Sequence, residues 1–196
     1  MLPTHYAITE ILIVISSIYS IRQLSLKKNY FAIIGIAMIG IAAAVGAIRF
    51  GLLDTEFMIQ LNKKLGLYAG IICLSFISVQ MAFNLDWKKI AWMLLFTALV
   101  CLLISIIWPK YFLINLIFFW SFVSILIALD FPEKKFTYRI FRGAMMSILV
   151  ISFLTVSKNG FLVDIIGPMT SFHLYHALIA LWVYLINFII KKTKVF

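Results

Sequence analysis

Charge is what this sequence has least of. Only 12% of its 196 residues are Asp, Glu, Lys or Arg, and Asp and Glu together number 7. A water-soluble domain carries about a quarter charged residues, so a continuous polar coat is excluded and lipid is the implied solvent. The two cysteines, Cys73 and Cys101, both fall inside apolar stretches and read as small packing residues. The opening segment MLPTHYAITE lacks the positive n-region of a secretory signal. Its first cations, Arg22, Lys27 and Lys28, follow the apolar run instead, which reads as a retained helix that starts outside. There is no lipidation motif, no long polar tail, no evident repeat and no low-complexity segment.

What is present is apolar. Hydrophobic residues make up 64% of the chain, mean hydropathy is +1.10, and there are 18 Phe. A helix needs about 20 apolar residues to cross a hydrocarbon core of about 30 Å. Seven stretches qualify, at about 6–24, 30–50, 65–83, 90–108, 111–129, 138–157 and 169–190. The expected fold is therefore all-α: one seven-helix transmembrane domain over residues 1–196, with short connections and up-down neighbours. The tightest connection is Trp108-Pro109-Lys110, where proline ends one helix and permits the next.

The net charge of +10 lies between these runs. No basic patch interleaved with aromatics is seen, so no nucleic-acid partner is expected. With the amino terminus outside, the cytoplasmic side collects Arg22, Lys27, Lys28, Lys88, Lys89, Lys134, Lys135, Arg139, Arg142, Lys191, Lys192 and Lys194. The outer side has Arg49, Lys63, Lys64, Lys110 and Lys158. Excess Lys and Arg marks the cytoplasmic face. Twelve against five predicts the amino terminus outside, the carboxyl terminus in the cytoplasm, and a multi-pass protein of the cell (inner or plasma) membrane.

The second helix is rich in small residues, among them Gly35, Gly40, Ala44 and Gly46, which let helices approach closely in lipid. It is expected near the bundle centre, with the third helix as a plausible partner through Gly66, Ala69, Gly70, Ser75 and Ser78.

Few ionisable groups lie inside the spans, and none near a midpoint. That disfavours a proton pump, which needs a carboxylate or histidine relay, and a retinal protein, which needs an intramembrane lysine. A haem held between histidines of two helices is also disfavoured, since only the seventh helix supplies them. The amides Gln80, Asn115 and Asn187 stand isolated along the sequence.

The remaining groups gather toward the outer end: Glu10, Arg49, His173 and His176. Residues at i and i+3 differ by about 60° around a helix, so His173 and His176 share a face. Two imidazoles on one face can begin a zinc site, which wants three or four ligands. The third ligand would be Glu10 or His5. The alternatives are histidines hydrogen-bonded at the interface and a polar pocket without metal. Arg49 can snorkel to lipid phosphate or meet Asp54, or it can pair with Glu10.

This layout resembles the CREST superfamily of seven-helix membrane proteins, which includes alkaline ceramidases and the progestin and adiponectin receptors. The matching stretch is Phe172-His173-Leu174-Tyr175-His176-Ala177-Leu178, with His-x-x-His where the family usually has His-x-x-x-His. At the end of the second helix, Gly46-Ala47-Ile48-Arg49-Phe50 has Gly and Phe where the family places Ser and His. Asn62 stands where the family has an acidic residue. The resemblance implies an outer-facing pocket for a lipid or lipid-like ligand, with Glu10, Arg49, Asn62 and Tyr175 as candidate lining and zinc on His173 and His176. An enzyme of this type would be a zinc-dependent lipid amidase. Membrane lipids are the expected partners, together with a second copy or another membrane protein. Two other readings are an accessory or assembly subunit, packing through outward-facing Gly35, Gly40 and Ala44, and a carrier for an uncharged or hydrophobic solute. The carrier predicts a cavity lined by Ser75, Ser78, Asn115 and Ser147.

Overall fold

The computed structural model describes residues 4–129, 147–149, 152 and 160–190. Six helices among them are long and apolar enough to cross a membrane. They are α1 (Tyr6–Leu26), α2 (Tyr30–Gly51), α3 (Glu56–Asn84), α4 (Lys88–Ile107), α5 (Phe112–Leu129) and α7 (Pro168–Ile189). A 3₁₀ turn, Pro109–Tyr111, joins α4 to α5, and a single helical turn, α6 (Val163–Ile166), precedes α7. The expected span at 138–157 lies outside the described residues except for 147–149 and 152, which are helical. No strand occurs among the described residues. Lipid cannot hydrogen-bond the backbone, so each crossing segment has to satisfy its own N–H and C=O groups along a helix.

Two tight turns set the hairpins. After α1, the N–H of Lys28 bonds the Ser25 carbonyl and the N–H of Asn29 reaches Leu24, both at 3.0 Å. After α3, the N–H of Asp86 bonds Phe83 (3.0 Å) and that of Trp87 reaches Ala82 (2.9 Å). Both are Schellman closures, with Lys28 (φ 59°) and Asp86 (φ 62°) in the left-handed conformation. Gln80, which looks isolated along the chain, takes part in this end of the fold. Gln80 accepts the N–H of Phe31 (3.1 Å) and donates to Asn84 (3.0 Å), which in turn donates to Asn29 (3.3 Å). Asn115 donates to the Cys101 carbonyl (3.0 Å) and Ser105 (2.8 Å), tying α5 to α4. Burial leaves Gln80 and Asn29 little water to bond, so they find protein partners.

Among the described spans, helix α3 is the most enclosed. It packs on α2, α4 and α5, while α1 packs on α2 and α7. The centre is thus α3 rather than the glycine-rich α2, whose small residues serve as contact points on both sides. A Cβ on Gly35 would stand 2.9 Å from the Cys73 carbonyl oxygen in α3, and one on Gly40 would stand 2.9 Å from Ser17 Cβ in α1. Helix α3 also begins nine residues before the expected start. Thr55 caps it, its hydroxyl accepting the Met58 N–H at 3.3 Å. The polar first turns, including Asn62, Lys63 and Lys64, are therefore helical rather than loop.

Candidate functional site

One end of the bundle brings together the start of α1, the end of α2, and the starts of α3 and α7. Below it lies a cavity of about 700 Å³, within the roughly 300–1,000 Å³ usual for small-molecule sites. Its walls follow helical periodicity. Helix α7 contributes Phe172, Tyr175, His176, Ile179 and Trp182, a single stripe at i, i+3, i+4, i+7 and i+10. Helix α3 contributes a run from Asn62 to Leu74 that includes Gly66, Gly70 and Cys73. At 1.5 Å per residue that run is about 18 Å long. The cavity is a slot parallel to the helices, and α5 adds the apolar wall Leu113, Leu116, Ile117 and Trp120.

Glu10, Arg49, Lys63 and His176 all stand at one end of this slot, joined by Asn62 and Tyr175. Glu10 is 5% exposed, and its Oε1 lies 3.4 Å from Nε2 of His176. The other ring nitrogen of His176, Nδ1, is 2.8 Å from the Phe172 carbonyl. A carbonyl only accepts, so Nδ1 carries a hydrogen. The neutral ring would then present a bare Nε2 to the carboxylate. The approach is attractive only with a proton between the two atoms. Imidazolium with carboxylate and imidazole with carboxylic acid are both net neutral, which is how a carboxyl group tolerates this depth. The imidazole also stacks on Phe172 (centroids 3.9 Å, 28°) and meets Tyr175 edge-on at 5.3 Å. Gly46 gives Glu10 its room, having no side chain to fill the space the carboxylate takes.

His173 turns elsewhere. Thr9 donates its hydroxyl proton to the Tyr6 carbonyl (3.3 Å) and so receives Nδ1–H of His173, also at 3.3 Å. The His173 ring lies 5.1 Å from that of His5 and 5.3 Å from that of Tyr6. Neither His173 nor His5 lines the slot. The two imidazoles of the expected zinc pair thus engage separate partners, and both ring nitrogens of His176 are occupied. Among the described residues no three His, Cys, Asp or Glu side chains group closely enough to hold a metal ion. This donor set does not fit zinc as arranged.

Arg49 pairs with Asp54 (Nε to Oδ1, 3.6 Å) rather than with Glu10, and its guanidinium stands 4.7 Å from the Phe50 ring centre. The sequence leaves both readings of Arg49 open; the short turn after α2 decides between them by returning Asp54 to its side.

The deep part of the slot is not legible as a site from the sequence. Trp182 is fully buried and lines the slot, yet its indole N–H has no hydrogen-bond partner among the described residues. The available signal is its place on the stripe begun by Phe172 and His176. Comparison with protein-family models, curated proteins and solved structures finds no match to this chain.

Proposed function

We propose that this chain is a multi-pass protein of the cell membrane that binds a lipid or lipid-like amphiphile, its hydrocarbon chain in the slot and its head group at the polar end. The observation that carries this reading is the distribution of lining groups. An elongated apolar slot has Glu10, Arg49, Lys63 and His176 gathered at one end only, which is the polarity pattern of a single-headed amphiphile. The excess of Lys and Arg in the opposite connections supports an outer position for that end and a cytoplasmic carboxyl terminus.

Binding is the reading the site supports most directly, since Glu10 and His176 engage each other and a backbone carbonyl rather than a metal ion. The other readings lose their distinguishing features. Gly35 and Gly40 pack against the chain's own helices, so two of the three residues expected to face outward in an assembly subunit are already engaged within the chain. Ser75 and Ser78 donate to carbonyls of their own helix, Asn115 bonds α4, and none of them lines the slot. That removes the lining expected of a carrier.

The test is purification in mild detergent followed by lipid extraction and mass spectrometry. The expected result is one amphiphile retained per chain and lost in Gly66→Phe. Gly66 lines the slot, and a Cβ there meets nothing within 4 Å, so a larger side chain starts from open space and takes up room a ligand would use. Protein that neither retains nor rebinds any amphiphile would overturn the reading. Metal analysis of the same sample tests the rival chemistry: stoichiometric zinc lost in a His173→Ala, His176→Ala double variant would return the site to a zinc-dependent lipid amidase.

A further inference from the structure

The charges that line the slot do not cancel. Glu10 is the one carboxylate among the described lining residues, and the proton it shares with His176 keeps that pair neutral. Two cations remain, Arg49 and Lys63. Asp54, which does not line the slot, approaches Nε of Arg49 at 3.6 Å, and that nitrogen is buried without a hydrogen bond among the described residues. The ion pairs at this end, Arg49 with Asp54 and Glu10 with His176, leave Lys63 out.

Lys63 is also in the right place. It heads the stripe Lys63, Gly66, Gly70 and Cys73 by which α3 lines the slot, at i, i+3, i+7 and i+10 on one helix face. Its neighbour Lys64 falls off that face and does not line the slot. Lys63 is exposed, so a ligand at the mouth can reach its ammonium, and the half-buried amide of Asn62 stands beside it on the lining. The height suits a head group as well. Lys63 lies about 32 Å along the helix axis from Asn84, the far end of α3, and a hydrocarbon core is about 30 Å thick. The ammonium is therefore level with lipid head groups while the rest of the stripe runs into the core.

An ammonium head would bring a third positive charge to Arg49 and Lys63, and a neutral head would leave Lys63 to water. An anion answers it and accepts from the Asn62 amide too. We infer that the slot takes an amphiphile with an anionic head group, a carboxylate or a phosphate, and that Lys63 with Asn62 reads it while Arg49 adds a second positive charge. The inference rests on the lipid-binding reading above and names the ligand class more narrowly.

The test uses the full chain in phosphatidylcholine nanodiscs and four probes that share one acyl-length chain: a monoacylglycerol, its phosphate monoester, the free acid and the alkyl amine. Equilibrium binding should favour the phosphate and the acid over the monoacylglycerol by about fivefold, the scale of one partly solvated ion pair, and the amine should bind most weakly. Lys63→Gln should remove the preference while monoacylglycerol binding stays within about twofold, and Lys63→Arg should retain it. A basic surface also draws anionic lipid without any slot, and Lys64→Gln controls for that: it should leave the preference intact. Both lysines are exposed, so these changes leave the packing of the bundle alone.

Equal binding of all four probes would overturn the inference and leave the slot reading standing. An equal loss of preference in Lys63→Gln and Lys64→Gln would also overturn it, assigning the effect to the surface field. Displacement of the phosphate probe by inorganic phosphate would overturn it as well, since the anion site would then need no chain in the slot. Failure of every probe to bind folded protein would sink the slot reading itself.

Discussion

Gly46 of α2 lies directly against the carboxylate of Glu10 in α1: a Cβ on Gly46 would come within 2.6 Å of Oε1 and 2.7 Å of Cδ. The approach that positions Glu10 beside His176 therefore exists because this residue has no side chain.

Two of the three close glycines of α2, Gly46 and Gly35, should respond differently to alanine. At Gly46 the obstructing atoms are the far end of a flexible side chain, so the carboxylate can swing away. The helix itself gains about 0.5–1 kcal/mol when Gly becomes Ala. Gly46→Ala is expected to change stability by about 1 kcal/mol or less but to weaken amphiphile binding roughly tenfold, as Glu10 leaves its place. At Gly35 the obstruction is backbone, the Cys73 carbonyl oxygen at 2.9 Å and Cα at 3.1 Å, which cannot yield. Gly35→Ala is expected to lose about 1–3 kcal/mol of stability, the usual cost of overpacking. Thermal unfolding in detergent beside lipid-binding measurements separates the two; equal stability losses would refute the distinction.

Glu10 and His176 should behave as one unit. In Glu10→Gln the new amide N–H can donate to the bare Nε2 of His176, so the contact persists without the extra proton and stability should change little. His176→Phe leaves a buried carboxylate without its partner, a loss expected at about 3 kcal/mol. Combining the two changes should recover part of that loss, with a coupling of about 1–3 kcal/mol in the double-mutant cycle. Strict additivity would show that the 3.4 Å approach carries no energy.

Lys27 clamps the opposite end. Its ammonium donates to the Ile190 carbonyl at 3.1 Å and to the carbonyl of Asn187, the open C-terminal carbonyls of α7, where a cation also suits the helix dipole. Lys27→Met is expected to cost about 1–2 kcal/mol. Burial holds this ammonium below its ordinary value of 10.5, so near that pH the unfolded chain binds the proton more tightly than the folded one. Folded stability then rises as pH climbs through the interval just below 10.5. The advantage of wild type over Lys27→Met should widen there, a difference that chemical unfolding across that range would measure. An advantage that shrinks with pH would contradict the assignment.

The helices are legible because an apolar run leaves the backbone one way to satisfy itself in lipid. The run at 30–50 is α2, Tyr30–Gly51, and that at 169–190 is α7, Pro168–Ile189. The early start of α3 is hard to see by hydropathy because Glu56, Gln60, Asn62, Lys63 and Lys64 interrupt the apolar residues between them; its signal is the cap Thr55. The gathering of Glu10, Arg49 and His176 at one end is legible too, since position along each span fixes depth. Which of them meet is not. His173 and His176 share a helix face, yet 60° of rotation and the placement of α1 give one to Thr9 and the other to Glu10.

Solvent, crossing segments and the depth of each polar group are thus written in the chain, because all three follow from local composition and a fixed rise per residue. Partners are a matter of the folded bundle. Helix rotation and approach placed Gly46 against Glu10, returned Asp54 to Arg49 and left the Trp182 N–H without an acceptor among the described residues beside the slot. Those outcomes depend on how side chains interlock between helices, and close packing is set by the neighbour as much as by the residue itself.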